Sequence, residues 1–288
     1  MNKNKIGILL AILAAALYAI STPVSKLLLE YIPSTILAGL LYLGAGAGMA
    51  LVGTGLSAAK KRREERWLER SDLPYVIGMI VLDIAAPILL LLGLTTATPE
   101  NVSLLNNFEI VATAMIALIF FGEKISRRLW WAISLITLSS LILSFENIGA
   151  LDFSLGSLFV ILATVCWGLE NNCTRKLSEK DPIQIVVVKG LASGGGSLII
   201  GLAIGERVSS IPAILGALAL GFVAYGLSIF VYVYAQRFIG AAKTSAYYAI
   251  APFIASALSL CIFRSLPHYT FFIAALVMAV GSYLAAKE

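Results

Sequence analysis

The sequence predicts an all-α integral membrane protein with ten transmembrane helices, arranged as two inverted repeats of five helices. Three observations lead to this prediction: the composition, the spacing of long apolar runs, and an internal repeat. Of the 288 residues, 59% are hydrophobic and 13% are charged, whereas a soluble protein carries about 25% charged residues. The mean hydropathy is +0.92. A chain of this composition is expected in a lipid bilayer.

Apolar runs long enough to cross a bilayer, about 20 residues each, recur along the whole chain. The first resembles a signal peptide, but it continues to Leu29, so we interpret it as an uncleaved helix. One connection, 58–72, is long and basic, and it predicts a solvated helix on the membrane surface. The ten runs lie at 6–29, 33–56, 73–94, 101–121, 128–145, 155–174, 182–205, 212–235, 244–263 and 268–286.

The basic residues predict the orientation, because Lys and Arg accumulate in cytoplasmic loops. With a cytoplasmic N-terminus, 17 of the 21 basic residues lie on the cytoplasmic side and Lys189 lies within a span. Only Lys26, Arg207 and Arg264 face outward. The prediction is therefore a multi-pass protein of the cytoplasmic (inner) membrane with both termini in the cytoplasm. The net charge of +5 reflects this orientation, and nucleic acid is not an expected partner.

An internal repeat divides the chain into a first half, 1–148, which contains the basic loop, and a second half, 149–288. At an offset of 149 positions, Tyr18 aligns with Trp167 and Pro33 with Pro182. Each half has five predicted helices, and an odd number gives the two halves opposite orientations. Inverted repeats are typical of secondary transporters, whose substrate site lies near the midplane between the repeats.

Short motifs within this repeat resemble those of a known family. An aromatic residue precedes a small one in the first helix of each half, and further motifs close the fourth helix and interrupt the ninth: Tyr18-Ala19, Trp167-Gly168, Phe121-Gly122-Glu123 and Ala251-Pro252-Phe253. These features are similar to the EamA-type ten-helix members of the drug/metabolite transporter superfamily, over nearly the whole chain. The sequence departs from the family at Glu109-Ile110, where Glu-Pro is common. The resemblance implies export or exchange of small organic solutes through a cavity between helices one to four and six to nine.

Two polar stripes lie in the first helix of each half. One contains Tyr18, Ser21, Thr22 and Ser25, and the other contains Trp167, Glu170, Asn171 and Thr174. Residues at these spacings lie on one face of a helix. Polar groups inside a membrane segment face other protein or a water-filled cavity. We therefore expect the two stripes to face each other across a central cavity.

Four ionisable side chains lie within predicted spans: Asp83, Glu109, Glu170 and Lys189. At 1.5 Å per residue, Asp83 and Glu109 are near the midplane, where a carboxyl group suits proton coupling or the binding of an ammonium group. Glu170 and Lys189 are nearer the ends of their helices and are expected to extend partly towards the interface. The alternative is structural: an acid that only neutralises Lys189 would have no role in transport.

Amide and aromatic side chains complete the predicted site. Asn106 is expected on one helical face with Glu109 and Thr113, where it could bind a carboxylate or simply join two helices. Tyr248 is expected to line the cavity. The predicted substrate-binding residues are Glu109, Asp83, Asn106, Tyr18, Ser21, Trp167, Glu170, Asn171, Lys189 and Tyr248.

The predicted function is that of a secondary transporter. It would export or exchange a small polar organic metabolite, such as an amino acid, by alternating access, with protons as an optional coupling ion. The alternative is a cationic drug exporter that uses the midplane carboxylates. No motif of a membrane-embedded enzyme occurs, so we expect no enzymatic activity, no cofactor and no metal. The expected partners are a small-molecule metabolite, membrane lipids and protons, with the chain as a monomer or homodimer.

Overall fold

The protein is a helical bundle in the computed structural model, which describes residues 3–58, 66–121, 125–147, 152–177, 180–239, 244, 247–265 and 267–286. A π-helical segment, Phe222–Leu227, joins the helices Ile211–Gly221 and Ser228–Ile239. The helices are α1 (Lys3–Ala19), α2 (Ser21–Leu28), α3 (Ser34–Ala58), α4 (Leu73–Thr96), α5 (Pro99–Leu105), α6 (Phe108–Phe121), α7 (Arg127–Ser144), α8 (Leu155–Lys176), α9 (Pro182–Ala203), α10 (Ile211–Gly221), α11 (Ser228–Ile239), α12 (Ala251–Phe263) and α13 (Tyr269–Ala286).

Six helical segments of the described chain are long and apolar enough to cross a membrane: Asn4–Leu28, Ser34–Ser57, Arg70–Thr96, Pro99–Phe120, Pro182–Ala203 and Ile211–Tyr232. Two shorter apolar helices follow near the C-terminus. The total of ten spans and their orientation stay predictions. The described chain is all-α, as predicted, apart from two short strands, β1 (Phe145–Asn147) and β2 (Asp152–Phe153), which pair antiparallel in the connection between the two halves.

The predicted surface helix within 58–72 is wrong for the part that the structure describes. Arg70–Asp72 forms a single 3-10 turn, and residues 66–69 are not helical. This segment instead binds the start of α9: the Leu68 amide donates to Oε1 of Gln184 at 2.8 Å, and the Asp181 amide donates to the Arg66 carbonyl at 2.8 Å. Hydrogen bonds to another element thus satisfy backbone groups that a helix would have satisfied internally.

Helices α3 and α9 pack backbone against backbone along a seam of glycines. A Cβ atom on Gly190 would lie 2.4 Å from the Gly46 nitrogen and 2.7 Å from the Tyr42 carbonyl oxygen. One turn further, a Cβ on Gly194 would lie 2.6 Å from the Leu43 nitrogen. Small residues allow helices in membranes to approach this closely, and the close contact itself provides the attraction.

Polar contacts hold both ends of α9, one end to α3 and the other to the segment before α4. At the end predicted to face outward, the Glu206 carboxylate accepts hydrogen bonds from the amides of Thr35 and Ile36, at 3.4 and 2.9 Å. These amides belong to the first turn of α3, whose N–H groups have no partner within the helix. At the opposite end, Lys180 contacts Asp72 at 2.9 Å and Glu69 at 3.1 Å, and these hydrogen bonds raise the pKa of Lys180.

Replacing Gly190 by Ala is expected to destabilise the protein, because the added methyl group would meet backbone atoms that cannot move aside. Overpacking of this kind costs about 1–3 kcal/mol. Gly195 is the matched control: it lies in the same helix, and an added Cβ would meet nothing within 4 Å. Thermal unfolding in detergent should show a lower midpoint for Gly190→Ala and an unchanged midpoint for Gly195→Ala. Equal midpoints would contradict the proposed role of the seam.

Several helices are interrupted near mid-depth, and their two parts pack differently. The first span divides at Ile20 into α1 and α2, and the fourth divides at Asn106–Asn107 into α5 and α6. Half of the residues of α2 and most of those of α5 are buried, whereas many residues of α1 and α6 are half-buried or exposed. The bundle is therefore more tightly closed at the end that contains α2 and α5, which the charge pattern predicts to face outward.

Candidate functional site

Three of the four ionisable side chains within the predicted spans form one ion cluster. The Lys189 ammonium lies 2.9 Å from Oδ2 of Asp83 and 3.0 Å from Oε1 of Glu170. We call these three residues the ion cluster. The expectation that Glu170 and Lys189 extend towards the interface is wrong, because Glu170 is 3% exposed and Lys189 is held between two acids. The attraction of the buried carboxylates outweighs the gain from hydrating the ammonium.

The seam between α3 and α9 brings the ion cluster together. Gly190, the residue after Lys189, touches Gly46 and the Tyr42 carbonyl, so Tyr42 and Lys189 reach α4 side by side. The Tyr42 hydroxyl donates to Oδ1 of Asp83 at 2.9 Å. On α8, the Thr174 hydroxyl donates to Oε1 of Glu170. Four helices therefore contribute to this buried polar network.

Glu109 lies apart from the ion cluster and has a neutral partner. Asn171 of α8 donates through its amide nitrogen to Oε1 of Glu109 at 2.6 Å and to Oγ1 of Thr113 at 3.3 Å. The neighbouring Asn172 donates to the Thr113 carbonyl at 3.4 Å and to the Gly168 carbonyl at 2.8 Å. We call Glu109, Thr113 and Asn171 the Glu109 site. Its side chains are half-buried, so they retain surface for a ligand.

Asn106 lies at the interruption between α5 and α6 and not within a continuous helix. The predicted common helical face of Asn106, Glu109 and Thr113 therefore needs correction, since the turn at Asn106–Asn107 precedes Glu109. The Glu109 amide still donates to the Asn106 carbonyl at 3.1 Å, which keeps the two residues in one turn. The side-chain oxygen Oδ1 of Asn106 is buried and has no hydrogen-bond donor among the described residues. It is an acceptor that a ligand or a water could use.

A group of tyrosines, which we call the tyrosine cluster, connects the two polar stripes. Tyr225 contacts Tyr18 with a ring-centroid distance of 5.7 Å and Tyr42 with one of 5.4 Å. Tyr248 contacts Tyr18 at 6.0 Å and Tyr232 at 5.0 Å. The two stripes were predicted to face each other across a central cavity, and rings from α3 and from the π-helical segment lie between them.

The stripe residues Ser21 and Trp167 bind this cluster. Ser21 is hydrogen-bonded to Tyr225, and Trp167 is hydrogen-bonded to Tyr42; both Ser21 and Trp167 are buried in the protein. Tyr18 and Tyr248 both lie within electrostatic range of the Glu109 carboxylate. The Glu109 site is therefore bordered by aromatic rings that carry hydroxyl groups.

Sequence reasoning placed the acids, the amides and Tyr18 at this interior site, but it missed Tyr42 and undervalued Tyr225. Tyr42 lies in a helix rich in small apolar residues, without polar neighbours at helical spacing, so the sequence pattern did not identify it as a site residue. Tyr225 was not among the predicted substrate-binding residues, because membrane tyrosines often lie at the interface, yet the structure buries it.

An apolar groove of about 500 Å³ lies away from these polar groups, between α3 and α10. Gly44, Gly48, Leu218 and Phe222 are among its lining residues. It offers no charged or amide group that could orient a polar solute. The chemistry of the protein is therefore concentrated at the Glu109 site, the ion cluster and the tyrosine cluster.

Comparison with known proteins gives consistent matches over nearly the full length. The sequence profile of the EamA-like transporter family matches residues 5–145 and 154–286. An uncharacterized transporter of Methanothermobacter thermautotrophicus is 26% identical over 96% of this chain and 85% of its own length. The uncharacterized transporter YyaM of Bacillus subtilis is 23% identical over 68% of this chain and 67% of its own.

A solved crystal structure also resembles the protein. It superimposes with a TM-score of 0.68 over 97% of this chain and 96% of that chain, at 16% sequence identity. At this identity the likeness concerns the fold alone. The bundle described above is therefore an arrangement that is also found in a protein whose structure was determined by crystallography.

Proposed function

Because the chain belongs to the EamA-like transporter family, and is thus a membrane transporter, we propose that it carries a small polar organic metabolite whose ammonium group binds Glu109. Transport would proceed by alternating access across the cytoplasmic membrane, in the direction of export or exchange. The observation that carries the proposal is the setting of Glu109: among the described residues, this half-buried carboxylate has an amide and no cation as its partner.

The distribution of charge supports an ammonium-bearing substrate. Lys189 is in direct contact with Asp83 and Glu170, and among the described residues no cation is in ion-pair contact with Glu109. A carboxylate inside a membrane protein is costly unless a positive charge or several donors compensate it. Tyr18 and Tyr248 lie within electrostatic range of Glu109, and aromatic rings near the site would favour a bound cation. An amino acid or similar metabolite would provide the missing positive charge.

The packing of the two halves supports alternating access. Helices of one half pair with helices of the other: α3 with α9, α4 with α8, α1 with α11, and α7 with α13. Such a pattern is expected when two inverted repeats surround a site between them. The family profile also matches once in each half. The bundle is closed at the end that contains α2 and α5, and α1 and α6 pack more loosely. This is the packing expected of a conformation that is closed on one side of the membrane.

The alternative, a cationic drug exporter that uses both midplane carboxylates, is less consistent with the contacts. Both oxygens of Asp83 already have partners, the Tyr42 hydroxyl and the Lys189 ammonium. A bulky cation would have to displace Lys189 before it could use Asp83. Only Glu109 is accessible without breaking the ion cluster, and a single carboxylate suits a single ammonium group.

A matched series of ligands tests this proposal. Proteoliposomes containing the purified protein would take up radiolabelled L-leucine in competition with L-leucinamide, 4-methylpentanoate or tetraphenylphosphonium. Leucinamide keeps the ammonium group and 4-methylpentanoate keeps only the carboxylate. We expect leucinamide to compete and 4-methylpentanoate not to compete. Competition by 4-methylpentanoate alone would contradict the role of Glu109, and transport of tetraphenylphosphonium alone would favour the drug exporter.

A further inference from the structure

We propose that Lys26 is a gate residue with two alternative partners at the end of the bundle that is predicted to face outward. Its ammonium group binds the last carbonyls of α4 when this end is closed, and it binds the Glu100 carboxylate when this end opens. The proposal rests on the proposed function, because alternating access requires the end to open and close. We call Lys26, Glu100 and the Leu94 carbonyl the outer gate.

The closed position of Lys26 joins α2 to the end of α4. Its Nζ donates to the Leu94 carbonyl at 2.6 Å and to the Thr95 carbonyl at 3.4 Å. Carbonyls in the last turn of a helix have no partner within the helix, and the residue four positions after Thr95 is Pro99, which has no amide hydrogen. The C-terminal end of a helix also carries a partial negative charge. Lys26 therefore satisfies groups that would otherwise lack a donor.

The second partner is a buried carboxylate that is only partly satisfied. Oε1 of Glu100 accepts a hydrogen bond from the Ser265 hydroxyl at 3.0 Å, whereas Oε2 is buried and has no hydrogen-bond partner among the described residues. Glu100 is 2% exposed, and no described cation is in ion-pair contact with it. A buried carboxylate with one neutral donor is costly. The closed end thus contains an acceptor that a cation would stabilise.

Lys26 is a cation that can reach this acceptor. It lies within electrostatic range of Glu100, and its half-buried side chain has a flexible four-carbon stem. It therefore changes partner by rotating side-chain bonds, without a change in its backbone. Glu30 is also within range, but it is exposed, and water and salt screen its attraction. Glu100 is the acceptor with the most to gain from the ammonium group.

The exchange of partners lowers the cost of opening. A hydrogen bond between two charged groups is stronger than one from an ammonium group to a neutral carbonyl. In the closed state, Lys26 is held at α4 by the packing of α2, α4 and α5. When these helices separate, the ammonium group loses the carbonyls and gains Glu100, so neither charge is left without a partner. The difference between the two contacts then biases the populations of the closed and open states.

The reactivity of a buried cysteine measures the open fraction. In a variant without the three native cysteines, Ser25→Cys places a thiol on α2 at a position that is 2% exposed. A membrane-impermeant methanethiosulfonate is added from the outside to right-side-out vesicles, where it reacts only while the outer end is open. Glu100→Gln removes the partner of the open state, and we expect it to lower the labelling rate about 10-fold.

A double-mutant cycle shows whether Lys26 is the group that Glu100 binds. Lys26→Met removes both contacts of the ammonium group, so the effect of Glu100→Gln is compared with Lys26 and with Met at this position. With Lys26 present the labelling rate should fall, and with Met it should not change, because the pair is already absent. Glu30→Gln is the matched control, since it removes an exposed carboxylate near Lys26, and it should leave the rate unchanged.

Three results would overturn the outer gate: no labelling with Lys26 and Glu100 both present, no slower labelling in Glu100→Gln, or an equal effect of Glu100→Gln with and without Lys26. If Lys26→Met does not fold, Lys26→Gln takes its place in the cycle, because it can still donate to the carbonyls but carries no charge. Labelling needs no substrate, so the gate can fail while transport stands. Failure of the wild type to move any ammonium compound would instead overturn the proposed function.

Discussion

Replacing Glu109 by Gln is expected to abolish transport while the protein remains folded. The amide keeps the size of the side chain and its contact with Asn171, but it removes the negative charge proposed to bind the substrate. Loss of one partner from a buried charged pair costs about 2 kcal/mol or more, which corresponds to at least about a 30-fold loss of affinity. Uptake of L-leucine in proteoliposomes and thermal unfolding in detergent measure the two parts of this expectation.

The matched control for this substitution is Glu30→Gln. Glu30 is exposed and lies near the end of α2, far along the chain from the Glu109 site, so the same chemical change there should leave uptake unchanged. Glu109→Asp keeps the charge but shortens the side chain, and an intermediate rate is expected. Uptake by Glu109→Gln at the wild-type rate would place the substrate elsewhere in the protein.

Replacing Lys189 by Met is expected to cause a large loss of stability. It would leave Asp83 and Glu170 buried next to each other without a counter-ion, and removal of one partner from a buried ion pair costs about 3–5 kcal/mol. Asp83→Asn should cost less, because Glu170 still compensates Lys189. In Asp83→Asn the ammonium group keeps a counter-ion, because Lys189 also contacts Glu170 at 3.0 Å.

The ordering of combined variants tests this interpretation. Adding Asp83→Asn and Glu170→Gln to Lys189→Met removes all three charges, and stability should recover in part. The effects of substitutions on the free energy of unfolding are not additive when the residues belong to one network. Thermal and denaturant unfolding in detergent would rank the variants. If Lys189→Met were as stable as the wild type, the ion cluster would not contribute to the stability of the fold.

The sequence was sufficient to find the apolar runs and the buried acids, because both are patterns along a single helix. It could not assign Lys189 to its partners, because depth along a helix does not tell which helices are neighbours. The pairing depends on Gly190, whose missing side chain lets α9 touch α3 and brings Tyr42 beside Lys189. That information is spread over four helices and appears only when they are packed.

The interruptions show a second limit of sequence reasoning. A proline inside a helix normally kinks or breaks it, yet Pro87 lies inside an uninterrupted α4, while the fourth span divides at Asn106–Asn107, where the sequence has no proline. Neighbouring helices can satisfy freed backbone groups at either kind of position. The basic loop was misjudged for a related reason, since its described part binds Gln184 and Asp181 and forms no helix of its own.

The tied seam of α3 and α9 has a mechanical consequence. Two helices that touch through glycines and are hydrogen-bonded to each other at one end can turn together, but they cannot separate without breaking every one of these contacts. In the proposed alternating-access cycle, the line between them would serve as the rotation axis, and the pairs α4–α8 and α1–α11 would move about it. Rotation about a fixed axis displaces the residues farthest from the axis most and those on the axis least. Cross-linking α3 to α9 should thus leave transport intact, whereas cross-linking the two moving pairs to each other should stop it.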